Sequence, residues 1–515
     1  MLVGAAAWTL SAGALSTHQV YQEALVAPTG PSPLSALLDP GNPISQTVGA
    51  LSQPGLLKPG PNGTPTLGLA ASWKELDKGA KFAFTLPRNG RWSNGQPITT
   101  RDVGFTLAVL QSATFPDPSV AAPWRGISLF ATSFWSGTFV LPAPAPNFPN
   151  TAEVAILPAS HFHDRPQAFL TGNARPTSHF PPAAGPFAVV GNGPDQVSLR
   201  RNRYYSPPPL LAGFNLDLEP SPAAVASLLA HGRVDGWLAA TPADVAALPT
   251  SVVRRRMTSY SFVELLMNES SPALGDPVMR RALAAAIDRR QLVAKGVGGL
   301  GVPQYGPLPQ SIAWADLGRS SLGVGARPAA MLAGLGYLRT PPLGAFEKAG
   351  RRLALTISVP SLQPLPQAAA ALASMLGRQG FTVTVVQVRA RSFMTGTLSP
   401  GRFQLALVGF DNGPDPNLTA FWGSQVPSGQ SLNFSRAPAD PILNHELDQL
   451  ATATSLSARK SAYRAVTARL AQDAPAVFLY TPVYVYAHLA TVHVPGIPLL
   501  GDPLQRFADV TRWSL

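Results

Sequence analysis

The sequence contains no cysteine. This absence excludes a disulfide framework, a thiolate metal site, a cysteine nucleophile and a cysteine-linked lipid anchor on this chain. Charged residues make up only 13% of the 515 residues, against ~25% in typical globular proteins, so coiled coils and long solvated helices are not expected. Beyond the first residues, no apolar run reaches the ~20 residues that a membrane-spanning helix needs.

Basic residues are missing from the start of the chain, where no Lys or Arg occurs before Lys58. Residues 1–15 are apolar and uncharged, as in the core of a secretory signal, and Ala14-Leu15-Ser16 offers a small-x-small cleavage site. We therefore expect residues 1–16 to form a signal or an N-terminal anchor, with a buried N-terminal helix as the alternative.

Acidic residues are outnumbered, with 27 Asp and Glu against 39 Lys and Arg, which gives a formal net charge of +12. A nucleic-acid-binding protein would gather this charge into a stripe or an arm. Here the densest groups are short, namely Arg254-Arg255-Arg256, Arg280-Arg281 and Arg289-Arg290, and no zinc-finger, homeodomain or RNA-recognition signature accompanies them. The pattern predicts a solvated arginine-rich surface and no nucleic-acid partner.

The hydrophobic content of 45% is that of a globular protein, and the length predicts roughly two to four domains. Residues 17–70 are rich in Gly, Pro and Ser and predict short strands and loops. Residues 81–86 alternate as a strand, and a helix is predicted to begin at Thr99 or Thr100, with Asp102 in its first turn.

The second half of the chain shows an alternation of strands and helices. A helix is predicted from residue 276 to Gly296, where glycine ends it. Strands are predicted at 353–359, 381–385 and 403–410, with a helix at 368–376 between the first two. This βαβ pattern predicts an α/β fold with a partly parallel sheet.

Catalytic and metal-binding patterns are scarce. Neither a Gly-x-Ser-x-Gly elbow nor a phosphate-binding Gly-x-x-x-x-Gly-Lys-Ser/Thr loop occurs. The cluster His161-x-His163-Asp164 carries too few ligands for zinc and is interpreted as a polar loop. No catalytic residue, metal or cofactor is predicted.

Asp411 and Asp415 share a loop that follows the predicted buried strand 403–410. Ligands of open α/β sheets bind at the carboxyl ends of such strands, so ligand contact is one interpretation of this loop. A turn built by Asn-Gly-Pro-Asp-Pro is the other, and the two are compatible. A third possibility makes the two carboxylates the acid and base of a hydrolase.

Several motifs, taken in order along the chain, resemble extracellular solute-binding protein family 5, which includes the dipeptide- and oligopeptide-binding proteins of ABC importers. The ordered set spans residues 69–475. Its members are Leu-Ala-Ala-Ser-Trp at 69–73, Gly-Arg-Trp-Ser-Asn-Gly-Gln-Pro-Ile-Thr at 90–99, Asp-Pro-Val-Met-Arg-Arg-Ala-Leu at 276–283, Gly-Leu-Gly-Tyr at 334–337, Phe-Gln-Leu-Ala-Leu-Val-Gly-Phe at 403–410, Pro-Asp-Pro at 414–416 and Asp-Ala-Pro at 473–475.

The resemblance implies a large periplasmic-binding-protein type of α/β fold, with two hinged lobes and an extra inserted domain. Lobe I would comprise 17–55, 175–262 and 480–515. The extra domain II would comprise 56–174, and lobe III would comprise 263–479.

The resemblance also implies site residues. In peptide-binding members an aspartate after a Gly-Trp pair binds the peptide's amino terminus. Here the matching position is Asn412, which is neutral, Phe410 replaces the tryptophan, and Asp411 takes the role if the one-residue gap falls elsewhere. Asp415 lies in the same loop, and Asn268 matches a family asparagine near the cleft. Trp92 of the motif at 90–99 is expected to be structural.

By this resemblance the chain is expected to be a monomeric, non-enzymatic substrate-binding component of an ABC transporter. It would be exported, act outside the cytoplasmic membrane, and capture a peptide or similar small solute for the permease subunits. The alternatives are the carboxylate-based hydrolase and a transporter-independent sensor or chaperone on the same fold.

Overall fold

The computed structural model describes residues 19–27, 34–39, 42–60, 65–145, 148–172, 180–309, 327–340, 344–411, 418–424, 431–453, 455–497, 501 and 503–515. The expected signal or anchor at 1–16 lies outside these ranges. Within them, no helix combines the length and apolarity needed to cross a membrane.

Strands and helices are interspersed along the described chain. The strands are β1 (Val20–Val26), β2 (Leu57–Lys58), β3 (Thr66–Leu67), β4 (Ser72–Leu76), β5 (Lys81–Thr85), β6 (Ser128–Ser133), β7 (Ser136–Val140), β8 (Phe187–Asn192), β9 (Gln196–Arg201), β10 (Gly213–Glu219), β11 (Gly236–Ala239), β12 (Val253–Thr258), β13 (Ser261–Met267), β14 (Gly301–Pro303), β15 (Leu338–Thr340), β16 (Ala345–Lys348), β17 (Arg351–Arg352), β18 (Ala354–Pro360), β19 (Thr382–Val388), β20 (Leu405–Asp411) and β21 (Ala476–His488). The α-helices are α1 (Pro43–Ser52), α2 (Thr100–Leu110), α3 (Pro118–Ala121), α4 (Phe148–Thr151), α5 (Pro166–Gly172), α6 (Pro222–Ala230), α7 (Pro242–Ala247), α8 (Pro277–Ala285), α9 (Arg289–Gly296), α10 (Pro328–Gly334), α11 (Leu365–Arg378), α12 (Ala390–Phe393), α13 (Leu418–Trp422), α14 (Pro441–Thr452) and α15 (Leu456–Asp473).

The main sheet is continuous across the molecule, in the order β19-β18-β20-β13-β21-β11-β1-β10-β9-β8, with β12 and β14 also paired to β21. We call the strands β8, β9, β10, β1 and β11, together with β12 and the second half of β21, the lobe I sheet. The part from β19 to β13, with β14 and the first half of β21, is the lobe III sheet. Strand β21 therefore belongs to both lobes.

Each lobe sheet is covered by apolar side chains on both of its faces, as expected where parallel strands are enclosed by helices. In lobe III, alternate residues of β13 divide between two cores, with Leu265 on one side and Phe262 and Leu266 on the other. In lobe I, two further cores form around Phe214 and around Trp237.

The extra domain II is a separate four-stranded sheet in the order β4-β5-β7-β6, packed against α2. Thr99 and Asp102 form a capping box at the start of α2, and Asp102 also accepts a hydrogen bond from the Ala159 backbone at 2.9 Å. Trp92 is buried in this core. The predicted helix start, the predicted strand at 81–86 and the structural role of Trp92 are confirmed.

The βαβ prediction is confirmed, because β18, α11 and β19 follow one another and β18 pairs in parallel with both β19 and β20. Two other predictions are wrong. Residues 17–70 include α1, which begins because Asn42 accepts hydrogen bonds from the backbone of Ile44 and Ser45. The predicted single helix from 276 to 296 is two helices, because the Asp288 side chain caps a new helix at Arg290 and Gln291.

The prediction that the arginines are solvated is wrong for one residue of each pair in α8 and α9. The Arg280 side chain is buried, pairs with Glu269 at 3.0 Å and donates to three backbone carbonyl oxygens, those of Leu274, Gly275 and Asp473. Arg289 is buried as well and donates to the Phe478 backbone carbonyl at 2.6 Å. Burial lowers the pKa of both guanidinium groups.

Candidate functional site

The chain crosses between the two lobes at two adjacent places. Strand β12 pairs with the second half of β21, and β13 pairs with its first half, with only Ser259 and Tyr260 between β12 and β13. The Ser259 backbone N–H donates to the carbonyl of Pro482, in the middle of β21, at 3.0 Å. We call these two neighbouring crossings, residues 258–261 and 480–484, the hinge.

The parallel strands of both lobes run toward the hinge. In lobe I, β11 is antiparallel to β21 and ends beside Val485, and β1 and β10 run parallel to β11. In lobe III, β20 ends with Asp411 opposite Ser261, and β18 and β19 run parallel to it. The carboxyl ends of both sets therefore meet at one crevice, where open α/β sheets bind their ligands.

Phe410 lies at the hinge end of β20 and is partly exposed. Its ring contacts those of Phe421 and Phe434, with centroids 5.2 and 6.3 Å away, and that of Phe262 at 6.3 Å. Phe410 and Phe421 are the partly exposed members of this cluster and give the crevice an apolar side, the kind of surface that lines small-molecule sites, while Phe262 and Phe434 are buried in the core.

The structure describes only the start of the loop after β20, in which the other predicted residues lie. The backbone of Asp411 ends β20 at the hinge, so the loop begins there. Asn412 and Asp415 lie outside the described residues. The choice between Asp411 and Asn412 as the amine-binding position therefore stays a prediction.

Asn268 is not brought together with these residues. It follows β13 at the end opposite the hinge, so six strand residues, or roughly 20 Å, separate it from Ser261. Its side-chain amide is buried and donates to the carbonyls of Gly401 and Phe403, at 3.0 and 2.8 Å, while its oxygen accepts from Ser270. These bonds fix the loop that leads into β20.

No sequence motif marked two further polar side chains, Tyr260 and Glu153, whose pKa values are both raised. Tyr260 lies in the crossing itself, and Glu153 belongs to the segment that follows α4 in the extra domain II. Burial, together with the charge of Glu153, raises the pKa of the Tyr260 phenol. The only sequence signal was an acidic residue within the otherwise apolar run Ala-Glu-Val-Ala-Ile-Leu at 152–157.

Comparison with known proteins decides the family. Residues 64–431 match the family described as bacterial extracellular solute-binding proteins, family 5. The chain belongs to this family. It is 27% identical to Protein XP55 of Streptomyces lividans over 80% of this chain and 74% of that protein. It is 25% identical to the oligopeptide-binding protein AppA of Bacillus subtilis over 81% of this chain and 78% of that protein.

Solved structures show the same fold. AppA of Bacillus subtilis, in complex with a nonapeptide, superposes with a TM-score of 0.78 at 20% identity, covering 96% of this chain and 98% of AppA. NikZ of Campylobacter jejuni, in complex with Ni(L-His), superposes with a TM-score of 0.76 at 19% identity, covering 97% of this chain and all of NikZ.

The family and the fold are those of substrate-binding proteins and not of enzymes. The hydrolase alternative is therefore wrong, and the expected α/β fold of the periplasmic-binding-protein type is confirmed. The two proteins with these similar structures hold chemically different ligands, since one is in complex with a nonapeptide and the other with Ni(L-His).

Proposed function

We propose that this family 5 protein is the extracytoplasmic substrate-binding component of an ABC importer. In this role it captures a peptide or similar small solute in the crevice between lobe I and lobe III. The observation that carries the proposal is the convergence of the carboxyl ends of both parallel strand sets at a two-segment hinge. A hinge of this kind allows two lobes to close over a ligand, and burial of the ligand between them supplies the affinity.

The ligand contacts we propose lie on the lobe III side of the crevice. Phe410 offers an apolar face, and Asp411, Asn412 and Asp415 offer polar groups in the loop that begins at the hinge. In a closed, dry site a charge-assisted hydrogen bond is strong, and an unpaired charge is costly. We leave Asn268 out of this set, because both ends of its amide are already bonded within lobe III.

The proposed role also implies a cellular location and partner proteins. The protein would be exported, act as a monomer outside the cytoplasmic membrane, and deliver its ligand to the permease subunits of the importer. Such delivery requires that the permease distinguish the closed from the open protein, so the lobe surfaces on either side of the crevice are the expected contact region.

Native mass spectrometry of the protein purified from its own host tests the proposal. We expect a bound small molecule that is released on denaturation and can then be identified. A released peptide supports the importer role with Asp411 as the amine partner, and a non-peptide solute makes Asn412 the informative substitution. An empty protein that also shows no thermal shift with a peptide and sugar panel would argue for a sensor or chaperone.

A further inference from the structure

A cavity lies in lobe I, at the end of the lobe I sheet that is remote from the hinge. Its volume is about 420 Å³, which is within the range of small-molecule sites. The described residues that line it belong to β12, to the end of β21 and to the segment 490–497 that follows. His488 ends β21 four residues beyond Tyr484, so roughly 13 Å of strand separates this cavity from the hinge.

Two neighbouring strands put Arg255 and His488 on one face of the lobe I sheet. In the antiparallel pairing of β12 with β21, Val253 lies opposite His488. Arg255 lies opposite Tyr486, whose ring centroid is 6.1 Å from that of His488. Residues that are opposite each other, or two apart on one strand, share a face, and diagonal neighbours are about 7–8 Å apart. Arg255 and His488 accordingly both line the cavity.

The other side of the cavity is formed by the segment 490–497, which the C-terminal residues hold in place. The backbones of His493 and Ser514 exchange two hydrogen bonds, of 2.9 and 3.1 Å. Gly496, at a φ of 77°, lies so close to the Asp509 carboxylate that a Cβ would not fit. The apolar residues of the segment that line the cavity are Ala490, Val492, Val494, Pro495 and Ile497. The cavity is therefore preformed and has one apolar side.

The imidazole of His488 has an acceptor atom without a partner. The residue is 4% exposed, and its Nδ1 bonds to the Leu489 backbone carbonyl at 2.9 Å. Since a carbonyl oxygen only accepts, Nδ1 carries the hydrogen, and Nε2 of the neutral ring is an acceptor. Within the described ranges this Nε2 makes no hydrogen bond. A buried polar atom in this state costs free energy, so a ligand that donates a hydrogen bond to it is favoured.

Arg255 supplies the cavity with a positive charge. Its side chain is exposed and bonds to no other described residue. Its two neighbours in β12 lie on the opposite face, where Arg254 donates to the Leu248 carbonyl and Arg256 to that of Gly299, both at 3.1 Å. None of the described residues that line the cavity is acidic. A guanidinium beside an apolar surface, with no carboxylate in the lining, favours an anionic ligand.

We propose that this cavity binds a small organic acid that carries a hydroxyl group beside its carboxylate. The carboxylate accepts hydrogen bonds from the Arg255 guanidinium, and the hydroxyl donates to His488 Nε2. The apolar body of the ligand lies against the segment 490–497. Burial, together with the charge of Arg255, lowers the pKa of His488, so its ring is neutral near pH 7 and keeps this acceptor. The site is separate from the crevice, so it goes beyond the proposed function and does not rest on it.

Three probes of similar shape test the proposal. Mandelate has the carboxylate, the hydroxyl and a phenyl ring, whereas phenylacetate lacks the hydroxyl and mandelamide lacks the charge. Each probe is titrated calorimetrically into the full chain at about pH 7.5, where the imidazole is neutral. We expect wild-type protein to bind mandelate about 10- to 100-fold more tightly than mandelamide, and about 2- to 10-fold more tightly than phenylacetate.

Two substitutions assign these preferences to their residues. Arg255→Gln is expected to remove the preference for mandelate over mandelamide. His488→Asn is expected to remove the preference over phenylacetate, since the shorter amide can still donate to the Leu489 carbonyl but has no atom at the position of Nε2. The matched control is Arg256→Gln, which removes the same charge from the opposite face of β12 and should change neither preference.

Wild-type protein that binds mandelate no better than mandelamide overturns the proposal. Mandelate binding that Arg255→Gln leaves intact also overturns it, because the probe then lies elsewhere, for instance in the crevice. If His488→Asn does not fold, the wild-type protein still tests the hydroxyl contact, which equal affinities for mandelate and phenylacetate contradict. None of these results bears on the importer role, which native mass spectrometry tests separately.

Discussion

Glu23 and Arg506 form an ion pair whose two side chains are 0% and 1% exposed, with Oε1 and Nη2 2.9 Å apart. The second carboxylate oxygen accepts a hydrogen bond of 2.7 Å from the Tyr486 hydroxyl, which also bonds to that of Tyr21 at 2.6 Å. The network joins the first strand of lobe I to β21 and to the segment after it. Burial is the main cause that raises the pKa of both tyrosines, and the Glu23 charge adds to it.

Removing one partner of this pair leaves a buried, uncompensated charge. We expect Glu23→Gln to lower the free energy of unfolding by about 3–5 kcal/mol, measured as a shift of the urea midpoint. The control is Glu347→Gln, which breaks a pair with the more exposed Arg352 and is expected to cost less than about 1 kcal/mol. Equal effects of the two substitutions would show that burial does not determine the strength of these pairs.

Glu264 makes stability depend on pH. It is buried in β13, no residue of the described ranges forms an ion pair with it, and burial raises its pKa from 4.5 to about 8. Between these pH values the folded chain holds a proton that the unfolded chain has lost, so the free energy of unfolding falls as pH rises. We expect Glu264→Gln to flatten this fall, by up to about 4 kcal/mol between pH 4.5 and 8.5.

Thermal unfolding of wild type and Glu264→Gln at intervals of half a pH unit measures this difference. The wild-type midpoint should decline more steeply across the range, and the two slopes should agree below pH 4, where the carboxyl is protonated in both states. Parallel curves throughout would mean that Glu264 gains a partner in solution.

Asn268 allows a structural role to be separated from ligand contact. Asn268→Ala leaves the carbonyls of Gly401 and Phe403 without their donor, and we expect it to reduce the free energy of unfolding by about 2–4 kcal/mol. Ser270→Ala removes a single hydrogen bond to the same amide and should cost about 1 kcal/mol.

The affinity of folded Asn268→Ala for any peptide of the panel that binds the wild-type protein should stay within about twofold of the wild-type value, because the residue lies far from the hinge. A tenfold loss of affinity without loss of folded protein would instead restore Asn268 to the ligand site.

The sequence predicts those features that local periodicity controls. The alternation at 353–359 and 381–385 with a helix between predicts parallel strands, and β18 and β19 are parallel. The break between α8 and α9 depends on which of two competing signals prevails, and the Asp288 cap prevails over the continuous apolar face. The burial of Arg280 depends on carbonyls near Gly275 and at Asp473, and the latter lies 193 residues away, so no local pattern reports it.

The residues of the candidate site also differ in how far the sequence predicts them. Phe410 could be placed from sequence, because the end of a buried strand in an α/β fold marks the ligand-binding edge. Glu153 and Tyr260 could not be singled out, since neither belongs to a motif. Asn268 matches a family position, but its hydrogen-bond partners only become visible in three dimensions.

The shared strand β21 has a consequence for how the molecule unfolds. In lobe I it lies between β11 and β12, and in lobe III it pairs with β13 along residues 476–480 and with β14 along residues 480–482, so the pairing of both sheets depends on it. A fragment comprising either lobe alone would keep half of β21 without its continuation and would expose unpaired strand edges at the cut. The two lobes therefore depend on each other for folding. A substitution that destabilises lobe I also destabilises the half of the crevice that lobe III supplies.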